Sequence, residues 1–85
     1  MSNIRILKNE NINDFVHWSI WKCQVSKFDW HYDQEEHCFI IEGEASINIK
    51  NSIYIISQGD YVIFDKGLKC KWNILKDISK YYIFK

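Results

Sequence analysis

The sequence predicts an all-β fold: one small domain of seven or eight short strands closed into a barrel or packed as a sandwich. Three observations predict it. Apolar residues recur with a period of two in several short runs, the signature of strands with one buried face. Gly, Asn, Asp and Ser clusters separate those runs at short intervals, as in all-β chains. No stretch keeps helical spacing for long, and the chain has no proline, so every turn depends on those small polar residues.

The runs are read in chain order. Residues 3–7 alternate weakly and form a first strand. Residues 9–18, containing Asn-Ile-Asn-Asp followed by Phe15 and Val16, form a loop with one helical turn. Trp21, Cys23 and Val25 alternate with Lys22, Gln24 and Ser26, which predicts a half-buried strand. Residues 28–35 mix rings and polar groups without a steady period and suggest a loop or bulged strand. A strand over 36–41 follows, bent at Glu42-Gly43-Glu44, where Gly permits close approach or an unusual backbone angle. Residues 46–50 alternate with Ile47 and Ile49 inward. Asn51-Ser52 turns the chain into a strand over 53–56, and Gln58-Gly59-Asp60 turns it into another over 61–64. Asp65-Lys66-Gly67 leads into 70–75, and 78–84 is the last strand.

Composition supports a dense core. A chain of this length buries only roughly 60–65% of its unfolded surface, but four Trp, five Tyr and five Phe in 85 residues supply enough rings to fill a narrow barrel. Eleven basic and eleven acidic residues balance. That leaves no excess positive charge for a phosphate backbone and argues against nucleic acid. The charges are segregated: residues 29–44 carry six acids and no Lys or Arg, while 66–85 carry six lysines and one acid. The ordinary meaning is two solvated faces, the sharper one an acidic and a basic rim around a pocket mouth. Cys23, Cys38 and Cys70 are odd in number and irregular in spacing, which indicates neither a disulfide framework nor a zinc ribbon. The start has no apolar signal core and no run approaches the length of a membrane span, so a cytoplasmic protein with reduced thiols and no membrane partner is expected.

Two segments resemble a known family. Glu36-His-Cys-Phe-Ile-Ile-Glu42-Gly43 looks like the second half of the first cupin motif, in which a Glu precedes a Gly by seven positions. Gly59-Asp60-Tyr-Val-Ile-Phe-Asp65-Lys-Gly67-Leu-Lys-Cys70 resembles the second, where a Gly-Asp opens a strand and a His follows the turn glycine by three. Fifteen residues separate Gly43 from Gly59, near the short limit for the superfamily. With residues 28–36 and 67–72, the pattern resembles small single-domain cupins related to ethanolamine-utilisation and ureidoglycine-aminohydrolase proteins. The resemblance implies a cupin jelly-roll β-barrel over residues 1–85. Residues 1–17 would be an N-terminal strand and loop, and the motifs lie at about 29–43 and 59–74.

The departures bear on chemistry. Metal-binding cupins hold the ion with His-x-His, the motif Glu and the second-motif His. Here Glu36 matches, Cys70 stands at the second-motif His position, and Asp65 replaces the turn proline. Counting four residues before Glu36 puts Asp29 and His31 at the His-x-His positions; counting three puts Trp30 and Tyr32 there. Both spacings occur in the superfamily, and counting leaves them open. Strand parity puts Glu36 and Cys38 on one face with His37 on the other, and puts Cys70 and Trp72 inside.

The leading expectation is a metal-free, ring-lined pocket for a small polar organic molecule, built from Trp30, Tyr32, Glu36, Cys38, Cys70 and Trp72. Resemblance alone suggests a sugar or a nitrogen metabolite. The plain reading is an aromatic core with Glu36 hydrogen-bonded inside it, but a buried carboxylate without a use is costly. The alternative is a Zn or Fe site made from His31, Glu36 and Cys70, with Asp29 as an optional further ligand, whose open position would activate water. If the protein is an enzyme, Glu36 is the candidate catalytic acid or base, since enclosure by rings favours the neutral carboxyl. Cys38 and Cys70 read as small hydrophobes before nucleophiles. Lys80 reads as a solvated strand residue, with a place at the pocket mouth as the alternative. A non-catalytic interaction module using Trp18, Trp21, Phe28 and Trp30 as a surface is the reading from another class. Short aromatic strands with open edges favour a homodimer.

Overall fold

A computed structural model of the chain describes residues 3–8 and 11–85. Positions 1, 2, 9 and 10, part of the expected N-terminal strand and loop, lie outside the described residues. Strand β1 spans Ile4–Leu7 and a 3₁₀ turn spans Ile12–Asp14. Then come β2 (Ser19–Cys23), β3 (Lys27–His31), β4 (Glu36–Ile49), β5 (Ser52–Ser57), β6 (Tyr61–Phe64) and β7 (Lys69–Phe84). All observed pairings are antiparallel. The all-β expectation holds, and among the described residues no helix is long and apolar enough to cross a membrane.

Two long strands organise the molecule. β4 and β7 pair along nearly their whole length, from Glu36 opposite Phe84 to Asn48 opposite Lys71. The first part of β4 also pairs with β6 and the last part with β5. β7 divides likewise, its first part pairing with β3 and its last with β2. Each long strand therefore serves two layers of one seven-stranded sheet, β1-β6-β4-β7-β2 and β5-β4-β7-β3, which close over one core in the manner of a jelly roll.

The bend is a set of register shifts between Ile40 and Ala45. Before it, Glu36, Cys38 and Ile40 are buried on the inner face; after it, Ala45 and Ile47 are. An odd shift exchanges the two faces of a strand, so the bulges keep apolar residues inside on both sides of the bend. Where the sequence suggested separate strands over 36–41 and 46–50, and over 70–75 and 78–84, the backbone runs through as one bulged strand each. Val25 is corrected too. It lies past the end of β2 and is exposed, while Trp21 and Cys23 pack against the core as expected. The turn into β5 sits one residue earlier than expected, at Lys50-Asn51, with Lys50 at φ 51°.

Gly43 is fixed by close approach. It has φ 96°, and a Cβ there would meet the Asp77 carbonyl oxygen at 2.4 Å and Ile78 Cα at 2.6 Å. Both obstacles are backbone of the paired strand and cannot swing away. Gly43→Ala is expected to cost about 3 kcal/mol or more, combining backbone strain with a forced opening of the β4–β7 ladder. A urea midpoint unchanged from wild type would refute this.

The outer face of the first layer carries its own aromatic cover. Phe15, just after the 3₁₀ turn, stacks on Phe39 at 5.0 Å and 22° and packs against Tyr61 at 5.2 Å. His37 lies on this outer face, as parity predicted, between the Tyr61 hydroxyl at 2.6 Å and the Glu35 carboxylate at 2.5 Å.

Candidate functional site

Strand β3 supplies one wall of the site. Its pairing sets Phe28 opposite Trp72 and Trp30 opposite Cys70, so even-numbered residues face inward. The direction continues past the strand end, because Tyr32 N–H donates to Leu68 C=O at 2.9 Å and its own carbonyl accepts from Gly67 N–H at 2.7 Å. Tyr32 is thereby held inside, 2% exposed, stacked on Phe64 at 4.6 Å and 9°. Trp72 donates its indole N–H to the Tyr32 hydroxyl at 3.1 Å, which satisfies both buried polar atoms. Phe28 stacks on Trp72 at 6.0 Å and 8°. The register left open by counting is therefore Trp30 and Tyr32 inward, with Asp29 and His31 outward.

These rings enclose a cavity of about 240 Å³. Trp21, Phe28, Trp30, Tyr32 and Trp72 form its aromatic walls, and Tyr82 and Phe84 complete them from the end of β7. Among the described residues, two charged ones line it, Glu36 and Lys80. Lys80 Nζ donates to Glu36 Oε2 at 2.5 Å, and the side chains are only 7% and 6% exposed. The ammonium also lies 4.9 Å from the Trp72 ring centroid, 5.0 Å from that of Trp21 and 5.8 Å from that of Phe64. Aromatic faces carry negative charge density, so this cage offsets part of the cost of taking the ammonium out of water.

Of the residues expected at the pocket, Trp30, Tyr32, Glu36 and Trp72 do line the cavity. Cys38 and Cys70 do not. Cys38 is fully buried in the core. Cys70 is 8% exposed, faces the core and borders a shallow outer depression shared with Asp29, Trp30, His31 and Lys69. Burial pushes both thiols up, Cys38 to about 12 and Cys70 to about 11, so both are protonated and inert near neutrality. Desolvation, then the neighbouring Glu36 and Cys70, likewise raises the Tyr32 phenol far above its ordinary range.

The residues do not fit the metal centre of cupins. His31 has a half-exposed side chain that reaches Asp33 at 3.4 Å on the outside, away from Glu36. His31, Glu36 and Cys70 are not brought together, and among the described residues no group of three or more His, Cys, Asp or Glu could hold an ion. The carboxylate that would be a ligand already has a cation against it.

Sequence reasoning did not place Trp21, Phe28, Tyr82 and Phe84 at the pocket, and it held Lys80 there only as the alternative to a solvated strand residue. The signal for Lys80 was present in principle. Extending the inward parity of Cys70, Trp72 and Ile74 along one unbroken strand reaches Ile78, Lys80 and Tyr82.

The chain matches the family described as EutQ-like cupin domain over residues 12–82. Its structure is similar to that of a DUF861 family protein from Thermotoga maritima, with a TM-score of 0.91 and 35% identity over 98% of this chain and 100% of that one. The EutQ protein of Clostridium difficile is similar with a TM-score of 0.72 and 16% identity, covering 98% of this chain and 68% of that one. A putative ethanolamine utilization protein Q from Salmonella typhimurium gives 0.69 and 16%, covering 95% and 68%; for these two the likeness is one of fold. No curated protein matches. The bent paired strands, the two cupin segments and the family match agree, and this chain belongs to the EutQ-like cupin family.

Proposed function

We propose that this protein binds a small polar organic molecule in the ring-lined cavity, without a metal. The carrying observation is the cavity itself: aromatic walls converging on a single Glu36–Lys80 pair. Ligand sites are mostly apolar with a few placed polar groups, and this one follows that pattern on a small scale. At about 240 Å³ it falls below the volume of drug-sized sites, which favours a metabolite of few atoms. The flat face of such a molecule would lie on Trp30, the lining indole that is half exposed, while its polar end reaches Glu36 and Lys80.

Intrinsic tryptophan fluorescence during a screen of small sugars, amides and carbonyl compounds tests the reading. A binder should quench or shift the emission saturably. Trp30→Ala removes a half-exposed ring and leaves the buried core intact, so it should fold and bind about 10-fold more weakly, the loss expected of one stacking partner. A binder whose affinity ignores Trp30→Ala would place its site elsewhere.

A further inference from the structure

We infer that Lys80 is a nucleophile that captures a neutral carbonyl compound as an iminium, with Glu36 moving the protons; this rests on the cavity being the ligand site. Lysines are almost never buried without a partner, and Lys80 is 5% exposed, yet it still lines a cavity. Here the side chain lies at the wall of the space a ligand would occupy, its amine over the Trp21 and Trp72 rings. A buried lysine among rings is one of the ways proteins arrange an amine for attack on a carbonyl.

The missing ingredient for an ammonium is a proton acceptor, and Glu36 Oε2 is 2.5 Å from Nζ. The Lys80 proton passes to Glu36, and the nitrogen lone pair forms a C–N bond to the carbonyl carbon. The C=O π pair moves to oxygen, which takes a proton from the nitrogen to give a neutral carbinolamine. Glu36 then returns its proton to the hydroxyl, which leaves as water while the nitrogen lone pair closes the C=N bond. Ammonium plus carbonyl become iminium plus water, charge is conserved, and no oxidant or reductant is needed. Glu36 ends as a carboxylate beside the iminium cation, the same charge arrangement as at the start.

The lining also sets the substrate class. Among the described residues its charged groups are Glu36 and Lys80, and no second cation there offsets a ligand carboxylate. A 2-oxo acid would bring a second negative charge against Glu36, whereas an aryl or alkyl aldehyde meets rings on its apolar side. Neutral aldehydes are therefore favoured over anionic keto acids.

The test uses benzaldehyde with sodium cyanoborohydride on the full chain, followed by intact mass and peptide mapping. The expected result is one adduct, with the mass of benzaldehyde less the carbonyl oxygen, on Lys80. It should saturate with benzaldehyde concentration and exceed the pyruvate adduct at equal concentration by about 10-fold or more. Peptide mapping reads the site on wild type, so the result stands even where Lys80→Met fails to fold. Where it does fold, that variant should lose the saturable adduct. Adducts spread over surface lysines without preference for Lys80 would overturn the inference. Benzyl alcohol, which has the same ring and no carbonyl, separates the two readings through tryptophan fluorescence. If it occupies the cavity while benzaldehyde leaves no adduct on Lys80, capture is wrong and binding survives. If neither compound perturbs the fluorescence and no adduct forms, both readings fall.

Discussion

Lys80→Met is expected to lower the stability of the folded chain by about 3–5 kcal/mol, the cost of leaving a buried carboxylate without its cation. Glu36 is 5% exposed, and its counter-charge is the Lys80 ammonium at 2.5 Å. The loss is compounded by the ammonium's contacts with the Trp21 and Trp72 faces, each worth ~0.5–2 kcal/mol according to how dry it is. Domains of this size have only about 5–15 kcal/mol in total, so the single variant approaches its unfolding threshold. Urea titration followed by tryptophan emission reads the midpoint.

The same pair should be nearly dispensable when both halves go together. Lys80→Met with Glu36→Leu removes both desolvation costs and fills the space with apolar atoms of similar size. Its stability should return to within about 1 kcal/mol of wild type or exceed it. The coupling in the double-mutant cycle would then reach several kcal/mol, well beyond what distant sites show. Strictly additive single losses would mean that the 2.5 Å contact contributes no coupling. The double variant also isolates function from folding: it should keep the fold while losing the polar half of the cavity.

How much of this could be read beforehand depended on whether the information was local. Cys70, Trp72 and Ile74 alternate cleanly with Lys69, Lys71 and Asn73, so the inner face of β7 is written in its own residues. Gly43 likewise announces a bend. The face exchange across that bend does not, because it depends on which residues of β7 the bulges oppose. Trp30 is aimed by the pairing of β3 with β7 and Tyr32 by its backbone bonds to Leu68 and Gly67, and counting back from Glu36 cannot supply either. Lys80 was the hardest residue to assign. A lysine at an inward strand position reads as a surface residue until register sets it beside Trp21 and its side chain meets Glu36, which together make its burial tolerable. Polar residues in a core are specified by their neighbours across space, and a single sequence does not list those neighbours.

Alkaline pH is expected to destabilise the protein well before its backbone is attacked, through its buried acids. The Cys38 thiol is pushed to about 12, mainly by desolvation, with Glu36 adding to the rise and Lys80 opposing it. Cys70 is pushed to about 11, again mainly by desolvation, with Asp29 and Glu36 raising it and Lys80 lowering it. Unfolded thiols ionise near 9. Between that pH and the native values, the unfolded chain has released protons that the native chain keeps. The proton difference between unfolded and folded states is then negative, and stability falls as pH rises. Their contribution is complete below about pH 9 and is lost through about 11 for Cys70 and about 12 for Cys38. Each thiol adds a slope approaching ~1.4 kcal/mol per pH unit within its window. Tyr32, raised in the same direction, steepens the loss above pH 10. Cys38→Ala should lower the stability at neutral pH by roughly 1–2 kcal/mol through lost packing, yet flatten the decline between pH 9 and 11. Urea midpoints at pH 7, 9, 10 and 11 for both proteins separate these effects. Parallel curves would show that Cys38 keeps no proton on folding beyond what the unfolded chain keeps. Convergence of the two curves as pH rises is the signature of a thiol whose burial the alkaline solvent opposes.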